Sequence, residues 1–203
     1  MKEIRITAIE MPGNIQKPFY ELQAALFRRY KIPSARLFPP IVPLRPEKMS
    51  ETEMEMWKHD FRSIAELKAQ TILMQGGGGY FCPLEILPVQ NNQEKNSGLA
   101  RSPLLPGFSP YKAGIRQDHS MGIFSLFSYP APAVCIAVCE NTSDKPGSSA
   151  VFSLPSREQY DRELRWKKMF VAEIRILYSD RRPWWREVYW EYTKYLKISC
   201  GGK

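Results

Sequence analysis

Ile4, Ile6 and Ala8 alternate with Arg5 and Thr7, a period of two that predicts a first β-strand with one apolar face. Pro12-Gly13 then turns the chain. Phe19, Leu22, Leu26 and Tyr30 recur at helical spacing and predict a helix with Pro18 in its first turn, ending near Lys31 before Pro33. The stretch Ala35 to Leu44 reads as a second strand. Its prolines Pro39, Pro40 and Pro43 confine part of it to an edge, a bulge or a strand end, because proline donates nothing to a ladder. Ser50 and Glu53 form a capping-box pair. Behind them Met54, Trp57, Phe61 and Ile64 make an apolar stripe, which predicts a second helix through about Lys68.

Thr71 to Met74 reads as a strand, followed by four glycines from Gly76 to Gly79. No Gly-Lys-Ser/Thr follows them and no helix is predicted to start there, so the geometry of a phosphate loop is missing and a flexible hairpin or bulge is favoured. Tyr80 to Val89 returns as a strand interrupted by Pro83 and Pro88. Residues 90–97 are polar and read as a surface loop, and Pro103, Pro106 and Pro110 keep the chain irregular to about Gly114. Met121 to Tyr129 and Ala133 to Cys139 are β-rich runs, and Ala150 to Leu154 is a further short strand. Ser156 and Gln159 predict a short capped helix reaching about Lys168. Phe170, Ala172, Ile174, Ile176 and Tyr178 alternate with Glu173 and Arg175 as a half-buried strand. Residues 184–198 satisfy both periods: Val188, Trp190 and Tyr192 fit a strand, Trp184, Val188, Tyr192 and Leu196 a helix. Their aromatic and threonine content favours the strand. The predicted class is α+β.

Composition adds less. A chain of 203 residues with 43% hydrophobic positions is long enough for one domain with a substantial core. No apolar run approaches the roughly 20 residues of a membrane helix, and the alternating N-terminus lacks a signal segment, so a cytoplasmic protein without membrane association is expected. Cys135 and Cys139 stand too far apart along a strand to bridge, and no Cys/His spacing suits zinc. Free, mostly buried thiols and no metal or cofactor are expected. The net charge of +8 is compatible with a nucleic-acid or nucleotide partner, but the basic residues are spread without a polybasic run.

Two segments carry a resemblance. Arg36-Leu-Phe-Pro-Pro-Ile-Val-Pro-Leu-Arg45 resembles the Pro-His-x-Thr-Leu strand of the two-histidine phosphoesterase superfamily, the 2′-5′ RNA ligase and cyclic phosphodiesterase type. Ala150-Val-Phe-Ser-Leu-Pro-Ser-Arg157 resembles that family's second copy, and Phe170 to Ser179 its late strand ending in Leu-Tyr-x-Ser. Pro40 and Leu44 match in the first copy, but Ile41 stands at the histidine and Pro43 at the threonine. In the second, Val151 replaces histidine, Ser153 stands for threonine, and Leu154 and Arg157 match. The resemblance implies two pseudo-symmetric lobes, each an antiparallel sheet with helices outside, enclosing a central groove. Lobe one covers about 1–97, the irregular connection 98–119 and lobe two 120–203.

In that family the two histidines act as general base and general acid on one phosphate, and the hydroxyls bind its oxygens. Isoleucine and valine move no proton, so the resemblance implies a catalytically inactive protein that binds a phosphorylated ligand, a nucleotide or an RNA end. Arg45, Ser153 and Arg157 are its candidate ligand-binding residues, with Arg36 a further strand-end cation. His59 lies off the apolar stripe and reads as a surface residue. His119, flanked by Asp118 and Ser120, offers an enzyme of different chemistry as one alternative, although adjacent residues do not face each other. Trp184, Trp185 and Arg186 suit either base stacking or core packing. A protein-interaction module without ligand is the other alternative.

Overall fold

The computed structural model describes residues 2–46, 50–76, 79–89, 105, 106, 108, 131–138, 162–179 and 188–201. Among these, nine strands and two α-helices follow in the order β1 (Lys2–Glu10), α1 (Gly13–Tyr30), β2 (Ile41–Arg45), α2 (Glu51–Asp60), β3 (Ile64–Gln70), β4 (Met74–Gly76), β5 (Gly79–Pro88), β6 (Ala133–Val138), β7 (Glu163–Trp166), β8 (Lys168–Tyr178) and β9 (Tyr189–Ser199). The fold is α+β and dominated by antiparallel sheet, as the sequence predicts. The strands join along one path, β7-β3-β5-β6-β2-β1-β8-β9, with β4 hairpinned onto β5. Strands from the second half of the sequence therefore interleave with those of the first.

β5 is shared between two portions of this path. Its first half pairs with β4 and β6, and its second half with β3. Beyond it the β3–β7 portion has one apolar face, with Leu67 and Ala69 opposite Trp166 and Leu164. Its other face carries Lys68, paired with Glu85 and Glu163, and Arg165, paired with Glu66 and Glu163. Opposite charges at cross-strand neighbours stabilise a solvated face modestly.

Both helices pack on one side of the sheet. Ile15, Phe19, Leu22 and Leu26 of α1 and Trp57 of α2 share a core with Ile9, Val42, Leu44, Val134, Ile136, Leu67 and Trp166. The opposite face of the central strands forms a second apolar cluster from Ile4, Ile6, Ala8, Ile41, Phe81, Cys135, Ala172, Ile174 and Ile176. Period-two alternation sorts β1 between the two clusters: even positions face the second, and Ile9 the first.

Several elements differ from their sequence-based boundaries. α1 starts at Gly13, where Ile15 and Gln16 donate to the Pro12 carbonyl, so Pro18 lies inside the helix rather than in its first turn. It closes at Lys31, in the left-handed region with φ 56° and donating to Phe27 O, as expected near this residue. The predicted strand 35–44 begins only at Ile41. Pro33–Arg36 is a 3-10 turn pinned by Ser34, whose hydroxyl donates to Val138 O and accepts from Val138 N. α2 carries the predicted capping box but ends at Asp60, not near Lys68. Ile64 suits the helical stripe and the strand equally, and the ladders of β3 with β5 and β7 decide for the strand. The same ladder makes Glu163–Trp166 a strand where a helix to about Lys168 was predicted. Of Thr71–Met74 only Met74 enters a strand, β4.

β4 and β5 form an antiparallel pair whose last partners are Gly76 and Gly79. β8 and β9 also agree with expectation, the latter resolving 189–198 as strand. Cys82, Cys135 and Cys200 are buried thiols that form no disulfide. Burial pushes the Cys82 thiol far up, and Cys200 to about 12 through burial and then the Glu66 carboxylate, so neither is a nucleophile. The strand predicted at Met121–Tyr129, the motif strand Ala150–Leu154 and the loop 90–97 lie outside the described residues. No described helix is long and apolar enough to cross a membrane.

Candidate functional site

β2 runs through the middle of the sheet between β1 and β6. Proline in a central strand deletes a ladder donor, and the chain accommodates Pro43 beside an irregularity. Ala8 pairs with Pro43 while Thr7 pairs with Arg45, so Leu44 is one extra residue on β2, a β-bulge. Residues directly opposite share a face. Ile41 and Pro43 therefore lie with Ala8 on the second apolar face, and the bulge carries Arg45 over to the face of Thr7, Ile9 and the helices.

The position that the resemblance aligns with a histidine is thus an isoleucine only 2% exposed, paired with Cys135, which in turn pairs with Phe81, in an apolar cluster that includes Phe38, Ala133 and Ala172. Pro43 beside it is buried as well. The polar atoms of this apolar cluster are the Cys135 thiol and the Tyr178 hydroxyl, with Trp190 and Tyr192 packed against it. Glu10 stands directly opposite Ile41, and its Oε1 accepts from Gln16 Nε2 at 3.2 Å; Ile41 and Pro43 themselves can move no proton.

Arg45 meets a different partner from the one its sequence position suggests. Its Nη1 and Nη2 donate to the two Glu53 carboxylate oxygens at 2.6 and 2.8 Å, and its guanidinium lies 5.1 Å from the Trp57 ring centroid. Glu53 also accepts from the Ser50 backbone N–H at 2.9 Å and the Ser50 hydroxyl at 2.7 Å. The capping box at the start of α2 and the end of β2 are one hydrogen-bonded unit. A ligand phosphate would have to displace Glu53 to use this bidentate fork.

Arg45, then first Ser50's N–H and next its hydroxyl, hold the Glu53 carboxyl far below its ordinary range. Because the folded pKa is the depressed one, the unfolded chain takes up this proton first as pH falls. The pair's stabilisation is complete above the unfolded value of about 4.5 and is lost on descending below it. Urea unfolding at a series of pH values should show wild type losing stability below about pH 4.5 more steeply than Glu53→Gln. Parallel curves would mean the pair contributes nothing to pH-dependent stability.

The remaining candidates separate clearly. His59 has an 83% exposed side chain on α2 and faces solvent, as expected. Arg36, at the end of the 3-10 turn, lies 4.8 Å from the Phe27 ring centroid. Ser153, Arg157, Val151, His119 and Trp184-Trp185-Arg186 lie outside the described residues. Among the described residues no group of three or more His, Cys, Asp or Glu side chains is placed to hold a metal ion.

The sequence reading did not single out a surface groove of about 560 Å³ between α1 and Arg162, the residue before β7. Gly13, Lys17, Tyr20, Glu21, Ala24 and Arg28 line one wall. At 100° per residue these positions fall within one stripe of the helix, opposite Phe19, Leu22 and Leu26. Arg162 is held by its backbone: its N–H donates to Thr71 Oγ1 at 2.9 Å and its carbonyl accepts from Thr71 N at 3.2 Å. The helical stripe was legible as i, i+3, i+4, i+7 spacing. Arg162 was not, because Thr71 brings it there from 91 residues away.

Comparison with protein-family models matches none to this chain, and comparison with curated proteins finds no match either.

Proposed function

We propose that the chain is a catalytically inactive protein resembling the 2′-5′ RNA ligase and cyclic phosphodiesterase type, which binds a phosphorylated ligand, a nucleotide or RNA end, without turning it over. The observation that carries this reading is the burial of Ile41 and Pro43 at the motif positions, on a central strand and within an apolar face. Loss of both acid and base leaves little beyond binding, since one such catalyst typically contributes about 10²–10⁴-fold. In this reading the two related lobes enclose a groove, and Ser153 and Arg157 supply the anion contacts. Arg45 joins them only by releasing Glu53, so the resting protein keeps it as an anchor for α2.

Purified protein should show no turnover of 2′,3′-cyclic nucleotides or 2′-5′-linked oligonucleotides above the level of Ser153→Ala. Calorimetric titration with nucleotides should give weaker binding for Arg157→Ala than for wild type. Hydrolysis that survives His59→Ala and His119→Ala would overturn the assignment of the motifs, and hydrolysis lost with His119→Ala would establish an enzyme of different chemistry. A second reading, a protein-interaction module, draws on the same apolar face, whose described part offers no set of convergent charged groups. Equal nucleotide affinity of wild type and Arg157→Ala would favour it.

A further inference from the structure

We propose that the groove between α1 and Arg162 binds single-stranded nucleic acid through its phosphate backbone, with one base stacked on Tyr20. This site stands apart from the reading above. α1 packs on the helix-bearing side of the sheet, and the groove opens on the outward stripe of that helix, whereas Ile41 and Pro43 lie on the opposite sheet face.

Three observations meet here. First, the groove has a definite volume, about 560 Å³, within the range that accommodates a nucleotide-sized group. Second, among the described residues its ionic lining is Lys17, Arg28 and Arg162 against Glu21. Lys17 and Arg28 are eleven residues apart on one stripe, about 16 Å along the axis, a line of cations longer than a single phosphate. Arg162 faces them from a backbone fixed by Thr71, so the second wall is preorganised. Third, Tyr20 lies between the cations along the helix and is 45% exposed. Alternating cations with an accessible ring is the arrangement that tracks a single strand, phosphates on the charges and a base on the ring.

Glu21 refines this geometry. Its carboxylate repels phosphate and accepts hydrogen bonds, so a base edge with an exocyclic amine lies beside it rather than the backbone. The bound register is therefore phosphate at Lys17, base at Tyr20 and Glu21, and phosphate again at Arg28 and Arg162. An acidic peptide has charges to match the cations but no planar ring to use Tyr20, and the lining lacks the large apolar side chains that would enter a membrane.

The test is fluorescence anisotropy of labelled oligocytidylate, in RNA and DNA forms, against the full chain. Wild type should bind at least one form, with a slope of log affinity against log salt near −2, from about −0.7 for each of three neutralised phosphates. Lys17→Ala/Arg28→Ala should weaken binding by at least about tenfold and flatten the slope. Arg162→Ala leaves its backbone bonds to Thr71 in place and should also weaken binding. Tyr20→Ala should lose about tenfold, while Tyr20→Phe keeps the ring and binds as wild type. All these side chains except Glu21 are exposed, and circular dichroism confirms folding of each variant. Lys58→Ala, an exposed cation of α2 outside the groove lining, should leave oligocytidylate affinity unchanged. Oligocytidylate with hydroxyl groups at both ends offers no terminal phosphate, which separates failure here from failure of the nucleotide-binding reading. Identical affinity across the α1 variants, or competition by polyglutamate as effective as unlabelled oligocytidylate, would overturn the proposal. The tighter of the RNA and DNA forms identifies the natural strand.

Discussion

Ile41→His will not create a phosphodiesterase, and it will cost about 2–5 kcal/mol of stability. Restoring the residue that the family resemblance lacks looks like a gain of chemistry, but the site decides otherwise. Ile41 is 2% exposed, its strand neighbours are Cys135 and Glu10, and it belongs to an apolar cluster with Phe38, Phe81, Ala133 and Ala172. An imidazole there loses the aliphatic contacts and buries polar nitrogens among apolar groups. For a domain whose total stability is about 5–15 kcal/mol, this approaches the margin. The sign of its pH dependence is also set. Burial disfavours imidazolium, so the folded pKa drops below the ordinary value of about 6.5 and the unfolded state protonates first. The penalty should therefore deepen as pH falls below about 6.5. Urea unfolding at neutral and mildly acidic pH, with a 2′,3′-cyclic nucleotide assay alongside, measures both. A variant as stable as wild type that cleaves the cyclic nucleotide would show this face to be an active-site floor.

Phe81→Ala should lose about 3–5 kcal/mol, with Phe81→Leu costing less than about 1.5 kcal/mol. Phe81 is fully buried and pairs with Cys135 of β6 on one side and Met74 of β4 on the other. It stands on β5, the strand that both portions of the sheet share, and it belongs to the same apolar cluster as Ile41. Removing the ring leaves a cavity bounded by several strands, which hydrogen bonding keeps from collapsing. Chemical unfolding should move its midpoint down without changing the slope. A loss below about 1 kcal/mol would mean that the face is open to water there, and the same result would weaken the account of Ile41.

These effects bear on function because the proposal depends on a closed apolar face. Under that proposal, a buried β2 with Ile41 and Pro43 at the matched positions accounts for the lack of turnover. It also explains why Arg45 turns away. The extra residue at Leu44 moves it to the helix side, where Glu53 and Trp57 take its guanidinium. Residue matching along the strand places Arg45 with Ile41 and Pro43, and one bulge reverses that.

The sequence by itself determined the elements whose signals are local. Alternation defined β1 and β8, helical spacing defined α1 through Leu26, and Ser50 with Glu53 located the start of α2. It also determined the α+β class, the exposure of His59 and the burial of Cys82, Cys135 and Cys200. Only the tertiary structure decided where α2 stops, since Ile64 fits the helical stripe and the strand equally and its ladder partner Pro88 lies 24 positions away. The same holds for Glu163–Trp166, where pairing with β3 prevails over a capping signature at Ser156. The face of Arg45 depends on a register shift between two strands, and Arg162 joins α1 only through Thr71. Periodicity records which side of an element is apolar; it does not record which distant segment arrives to cover or pair with it. Long-range hydrogen bonding supplies that choice, and in this chain it settles both the bulge in β2 and the second wall of the groove.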